Sequence, residues 1–431
     1  MGRSAEAALL AVPVTLAAMG IALVNFTIGG GLDAQVALTF ATFGLAFGGM
    51  HLALRRWAPN ANQLLLPLAA LLTAIGATAV YRVDPALGTQ QRWWVLVGAL
   101  AGGATLFLLR DSGVAALRRF RYLFLAAAVV LLLLPLLPES LPLYGVEING
   151  SRLWIRADVP FTDRTMSFQP GEIAKLFIVV FLASYLADRR RALTEMRRKA
   201  GPLSIPDPRQ LGPILVAAAM AFGVLIYQRD LGASLLLFAV FVTMIYAATA
   251  QVTYLVVGGL AVVGGGLLAY QAFDHVQRRV TAWLHPFDDF TDTGYQVAQA
   301  LFAMGSGSLT GSGLGLGRPD LIPAAATDFV YAVIAEEMGL AGSIAVIAAF
   351  ALLVAVGFNI ALQSRDLFHK LLAAGLVLVL AVQALLILGG VLRLLPLTGI
   401  ALPFMSYGGS SLLANFVLVA LLARISHGNR T

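Results

Sequence analysis

The sequence contains no cysteine. That absence excludes disulfides, Cys-ligated zinc, iron–sulfur clusters and thiol nucleophiles together. Five histidines scattered over 431 residues do not gather into a His-built metal site. Charge is scarce too, with Asp, Glu, Lys and Arg making up 12% of the chain. Hydrophobic residues fill the space, at 59%. A soluble domain of this length has no use for so much apolar surface, so the composition predicts a polytopic membrane protein. The apolar segments are long and lack the strict alternation of a membrane β-barrel, so the expected fold class is all-α.

Twelve apolar segments are legible, at about 8–28, 34–54, 62–81, 93–109, 121–138, 173–187, 211–227, 231–249, 252–272, 330–358, 370–389 and 402–423. The first runs too far for a cleavable signal peptide and no small-residue cleavage pattern follows it, so it is expected to be a retained span. Basic residues set the orientation. With the N-terminus in the cytoplasm, Arg55 and Arg56, the group from Arg110 to Arg121 and the group from Arg189 to Lys199 all fall inside. Both termini are then expected to be cytoplasmic. The net charge of +7 thus reads as a topology signal, which disfavours nucleic acid as a partner. Two long outer loops result, about 138–171 and 273–327, and loops of that length are usually functional or disordered. The polar and aromatic mixture of the second predicts order.

The unusual polar residues cluster on that outer side. In TDFVYAVIAEEMGLAG, Asp328 stands where a polar loop meets an apolar segment, with Glu336 and Glu337 inside the segment. Carboxylates in or beside a span are costly and read as functional or paired. On a helix, Glu336 lies about 12 Å deeper than Asp328 and Glu337 faces nearly opposite. Asp328 or Thr327 reads either as a helix N-cap or as part of a site. Glu336 and Glu337 read as structural, paired with Arg or backbone, and the helix either projects outward or bends near Gly339 and Gly342.

In SFQPGEIAKLF, Glu172 and Lys175 share a helix face as an i,i+3 pair. The pair is either an intrahelical ion pair or a phosphate-facing lysine oriented by its glutamate. Upstream, Arg152 and Trp154 in NGSRLWIR offer a forked phosphate grip or an interfacial anchor. Asp230 in QRDLGAS caps the next helix or positions a cation or Lys175. The run GSGSLTGSGLGLG (305–317) does not end in Gly-Lys-Ser/Thr and follows no strand, so it reads as a pliant loop over a cleft and not as a nucleotide loop. In LPFMSYGGSS, Pro403, Gly408 and Gly409 interrupt an apolar stretch, either lining a cavity or packing helices closely.

Taken in order and spacing, NGSRLW, FQPGEIAK, RDLGAS, GYQVAQ, TDFVYAVIAEEMGLAG and PLTGIALPFMSYGGSS resemble the RodA/FtsW (SEDS) membrane glycosyltransferases of cell-wall synthesis. The chain is more similar to elongation-type RodA than to division-type FtsW, with the long loop before FQP seen in actinobacterial members. The resemblance covers about 62–431, a ten-helix core, and leaves 1–61 as two additional N-terminal transmembrane helices. The chain departs from the family pattern at Gly171, usually Ser, and at Arg229, where Pro is common. Its connection 155–167 is also longer than usual.

The resemblance implies polymerisation of lipid II into glycan strands on the outer face of the cytoplasmic membrane, with a class B penicillin-binding protein as transpeptidase partner. It maps the family's catalytic Asp onto Asp328. Arg152, Lys175, Arg278 and Arg279 are candidates for holding pyrophosphate. Trp154, Glu172, Asp230, Tyr295, Gln299 and Ser406 are supporting candidates by motif. The sequence demands no cofactor, while a divalent cation such as Mg or Mn is compatible with oxygen ligands. The competing class is a lipid II flippase using Asp328, Glu172 and Lys175 as a charged path. Clustering of the polar motifs on one side, without visible inverted repeats, argues against it.

Overall fold

Each of the twelve apolar segments carries a helix in the computed structural model, which describes residues 3–29, 31–148, 151–158, 165–195, 197–200, 203–206, 208–288 and 294–430. The first six helices are α1 (Ser4–Ile28), α2 (Ala34–Trp57), α3 (Leu65–Val83), α4 (Pro85–Leu108), α5 (Ala115–Arg119) and α6 (Arg121–Leu133). Strands β1 (Leu143–Ile148), β2 (Ser151–Asp158) and β3 (Thr165–Phe168) precede α7 (Gly171–Glu195). Strands β4 (Arg197–Ala200) and β5 (Leu203–Pro206) lead into α8 (Pro208–Tyr227), α9 (Leu231–Thr249) and α10 (Val252–Ala272). The chain continues through α11 (Asp274–Leu284), α12 (Tyr295–Gly307), α13 (Val330–Gln363), α14 (Leu367–Val391) and α15 (Gly409–Gly428). Among the described residues, eight of these helices are long and apolar enough to cross a membrane: α1, α2, α3, α9, α10, α13, α14 and α15. The protein is a multi-pass membrane protein.

The helices divide between two compact units. The first comprises Met1–Asp111, Gly266–Gly357 and Gln383–Thr431. In it α4 packs against α2 and α15, and α1 lies on α3. Small residues permit the close approach of α4 and α15: a Cβ on Gly98 would sit 2.7 Å from the Phe416 ring, and one on Gly102 would sit 3.1 Å from the Phe416 carbonyl oxygen. Asp33 caps α2 by accepting from the Gln35 and Val36 amides. Asp84 does the same for α4, with Pro85 preset at its first position. Glu6 of α1 is fully buried, yet it is paired with Arg3 and lies 2.6 Å from His51 Nδ1 on α2.

The second unit comprises Ser112–Gly265 and Phe358–Val382. Here α7 packs on α6 and α9, and Asp188 of α7 receives the guanidinium groups of Arg118 and Arg121. The stretch 138–171 is more than a loop. Strands β1, β2 and β3 form an antiparallel sheet in that order, with Val146 opposite Trp154 and Ile155 opposite Phe168. This small sheet lies in an outer-loop segment of a fold that is otherwise helical, as expected. The dipeptide Asn149-Gly150 between β1 and β2 is the sequence signal for such a hairpin. Strands β4 and β5 form a second antiparallel pair. In the first unit, the described residues of 273–327 supply α11 and α12.

Candidate active site

Asp328 lies in the turn 324–329 that precedes α13. Within this turn the Thr327 amide donates to the Ala324 carbonyl (3.0 Å), as does the Phe329 amide (3.3 Å). Helix α13 starts only at Val330, and among the described residues no first-turn amide donates to the Asp328 carboxylate. The N-cap reading of Asp328 therefore does not describe this structure. Part of the side chain reaches the surface, but the carboxyl is surrounded by protein. Burial pushes the Asp328 carboxyl above the usual carboxylate range, while the Arg279 charge and the Thr327 hydroxyl pull the other way.

A segment far along the chain holds the turn. Ser406 Oγ donates to the Thr327 carbonyl at 2.5 Å and accepts the Leu402 amide at 2.9 Å. The next amide, Tyr407 N–H, donates to the Ala326 carbonyl at 2.8 Å. Two non-glycine residues in this neighbourhood, Ala324 (φ +53°) and Phe404 (φ +65°), adopt the left-handed conformation. Such strain persists where surrounding contacts over-determine it. Arg279 of α11 completes the group by donating to the Thr398 carbonyl (2.9 Å) and the Leu397 carbonyl (3.3 Å). Arg278, its neighbour, is exposed. Of the two candidates, it is Arg279 whose charge reaches Asp328. Tyr295 and Gln299 occupy the first turns of α12, both half-buried.

Below the turn, α13 is broken. Gly339 has φ +65° and ψ −164°, conformations closed to L side chains without strain. The break frees backbone groups, and the glycine-rich run satisfies them. The Ser312 and Gly313 amides donate to the Glu336 and Glu337 carbonyls (2.9 and 3.0 Å), and the Leu340 amide donates to the Ser308 carbonyl (2.9 Å). This is how non-helical backbone is tolerated at membrane depth. The run is therefore a fixed partner of the broken helix. That corrects the pliant-loop expectation for 305–317, whose glycines serve close backbone approach: a Cβ on Gly311 would lie 2.2 Å from the Glu337 carbonyl oxygen.

Both glutamates behave as the sequence reading expects. The Glu337 carboxylate accepts from Arg82 Nε (2.8 Å) and from the Gly315 amide (2.9 Å), and Glu336 accepts the Arg318 amide (3.0 Å). Arg82 was not anticipated from sequence, where it reads only as a basic residue near a helix end.

The remaining candidates belong to the second unit. Glu172 and Lys175 form a buried ion pair of 2.9 Å on the first turns of α7. Asp230 is buried and caps α9, accepting the Ala233 amide at 2.8 Å. On β2, Trp154 is half-buried, and Arg152 is exposed 3.6 Å from Glu147 of the facing strand. Among the described residues no three His, Cys, Asp or Glu side chains gather as a metal cage. The Asp328 turn offers one carboxylate, a thin donor set for a divalent cation.

A multi-pass helical membrane protein with a buried carboxyl in a turn held by a distant segment is the class this geometry defines. The family model for FtsW, RodA and SpoVE, described as cell cycle protein, matches residues 61–431. The chain belongs to that family. It is 41% identical to the peptidoglycan glycosyltransferase RodA of Mycobacterium tuberculosis, over 99% of this chain and 91% of the relative. It is 31% identical to stage V sporulation protein E of Bacillus subtilis, over 85% of this chain and 95% of that protein. Among solved structures, a chain of a peptidoglycan synthase complex coordinating polymerization and crosslinking matches with TM-score 0.67 at 26% identity. That match covers 86% of this chain and 98% of the other. The Thermus thermophilus rod shape determining protein RodA matches with TM-score 0.58 at 25% identity, covering 86% and 98%.

Proposed function

We propose that this peptidoglycan glycosyltransferase polymerises lipid II at the outer face of the cytoplasmic membrane, with Asp328 as general base. Lipid II carries its own leaving group, a pyrophosphate on the lipid, so no nucleotide is needed. The acceptor 4-hydroxyl oxygen attacks the anomeric carbon of the donor sugar, and its proton passes to Asp328. The glycosidic C–O bond forms as the anomeric C–O bond to pyrophosphate breaks, and the lipid pyrophosphate departs with the electron pair. A positioned base contributes roughly 10²–10⁴-fold to such a step. Fixed cations at the departing group contribute on a similar scale.

The observation that carries this reading is the Asp328 turn itself: a carboxyl pushed upward by burial and tempered by the Arg279 charge, in a turn whose Thr327 and Ala326 carbonyls accept from the Ser406 hydroxyl and the Tyr407 amide. A carboxyl with a raised pKa is a stronger base once ionised. By motif we assign Arg279 and Arg278 in the first unit, and separately Lys175 and Arg152 in the second, as cations for pyrophosphate, with Glu172 orienting Lys175. Tyr295, Gln299, Trp154, Asp230 and Ser406 support substrate or site. The partner we infer is a class B penicillin-binding protein, in keeping with the synthase complex among the structural matches. Both termini are assigned to the cytoplasm. The curated RodA relatives are named as glycosyltransferases, which favours polymerisation over a flippase.

Purified protein given lipid II, with glycan products resolved on gels, tests the proposal. Asp328→Asn is expected to insert normally and to make no polymer. Normal strands from that variant would remove the base assignment. Vesicles with outward-facing substrate test the reaction class: polymer supports the transferase, and substrate crossing without polymer supports the flippase.

A further inference from the structure

Gln91 of α4 is fully buried. A buried primary amide must place two donors and an acceptor, and desolvation makes each unpaired group costly. Here both ends of the amide reach one short stretch of chain over three hundred residues away. Gln91 Nε2 donates to the Ser406 carbonyl at 3.1 Å, and its Oε1 accepts the Gly408 amide at 3.3 Å. That stretch is non-helical, so the Ser406 carbonyl and the Gly408 amide lie outside any helical ladder and need partners from elsewhere. The helices on either side approach it closely. A Cβ on Gly76 of α3 would lie 2.3 Å from Met405 Cα, and one on Gly409 would lie 2.0 Å from the Trp94 ring of α4. The same stretch supplies the Ser406 hydroxyl and Tyr407 amide that hold Thr327 and Ala326.

We propose that Gln91 is a positioning residue for Asp328: its amide fixes the 406–408 backbone, which in turn fixes the turn bearing the carboxyl. The inference rests on the assignment of Asp328 as base. Gln91 touches neither the carboxyl nor the Arg279 contacts, so its effect passes through backbone placement. Misplacing a reacting group by about 1 Å can cost on the order of 10²-fold in rate.

The test measures Gln91→Leu and Gln91→Glu in the full chain. Hydrogen exchange over 402–408 reads the clamp without turnover, and lipid II polymerisation reads kcat and KM. Gln91→Leu removes both bonds. It is expected to speed exchange at Tyr407 and Gly408, to lower kcat by about 10- to 100-fold, and to leave KM within about twofold. Gln91→Glu keeps an acceptor for Gly408 but loses the donor to Ser406, so it should fall between wild type and Gln91→Leu in both measures. Should Gln91→Leu fail to accumulate, the Gln91→Glu result decides. Wild-type exchange, wild-type kcat, or a loss confined to KM in the variant measured overturns the proposal. Active Asp328→Asn protein would instead remove the base assignment, a failure that the exchange measurement distinguishes.

Discussion

Two charged sites, one in each unit, are held by opposite means. In the second unit Glu172 and Lys175 sit one turn apart on a regular helix, and each is the other's neighbour by sequence. In the first unit Asp328 is placed by residues 78 to 237 positions away: Ser406 and Tyr407 on one side, with Gln91 behind them. A pair on one helix keeps its geometry as long as the helix lasts. A turn held by a distant loop depends on that loop's own anchors. The comparison separates interactions that set local charge from those that set the position of the reacting group.

The largest expected effect tests the distant arrangement. Asp328→Asn preserves the shape of the turn and removes the basicity, so polymer synthesis should fall by at least about 10²–10⁴-fold with unchanged expression and insertion. Gly339→Ala should act on stability first. The added Cβ would lie 2.3 Å from the Gly311 amide nitrogen at φ +65°. A cost of roughly 1–3 kcal/mol, seen as a lowered unfolding temperature in detergent, follows from the strain alone.

The local pair predicts a different signature. Lys175→Met leaves the buried Glu172 carboxylate without its ammonium, and losses of about 3–5 kcal/mol are typical of such half-removed pairs. Replacing both, Glu172→Leu with Lys175→Met, should recover most of that stability, because two apolar side chains carry no desolvation debt. If Lys175 also grips pyrophosphate, the double variant will be stable yet will have lost activity. A double variant that regains both stability and activity would reduce the pair to scaffolding.

Arg279 offers a pH measurement. Its positive charge lowers a carboxyl that burial has raised. A general base works only when ionised, so activity should disappear as the pH falls through the Asp328 pKa. Arg279→Gln removes the opposing charge, which raises that pKa further and moves the acid limb of the rate profile to higher pH. An acid limb unmoved or moved downward would show that the guanidinium serves only the 397–398 carbonyls.

What the sequence made legible follows the same division. The twelve helices, the i,i+3 pair and the Asp230 cap are all encoded within a few residues, where hydropathy and helix periodicity operate. The site's supports are not. Gln91 reads as one polar residue in the Gln90-Gln91-Arg92 stretch of α4, and nothing local marks its partners at 406 and 408. The break at Gly339 was one of two options for an overlong helix, and the structure decides it through contacts with 308–313. The pliant reading of the glycine run failed for the same reason, since its glycines admit a neighbouring backbone that composition does not reveal. The β1–β3 sheet adds a local element to the helical fold, and its sequence signal, Asn149-Gly150, sits inside a chain whose periodicity is dominated by helices.

The smallest effect sharpens the local side of the comparison. Asp230 accepts the Ala233 amide at 2.8 Å as the cap of α9, directly after Arg229 in the left-handed conformation (φ +59°). If capping is its whole contribution, Asp230→Ala should cost about 1 kcal/mol in unfolding. Asp230→Asn should restore nearly all of it, because an amide oxygen accepts the same hydrogen bond. Polymerisation by Asp230→Asn should then match wild type. A role for its negative charge predicts the reverse split, with Asp230→Asn as stable as wild type but slower. Unfolding temperature and initial rate measured on the same Asn preparation distinguish the two. Normal stability with a reduced rate would place Asp230 beside Asp328 among the residues whose charge the reaction uses.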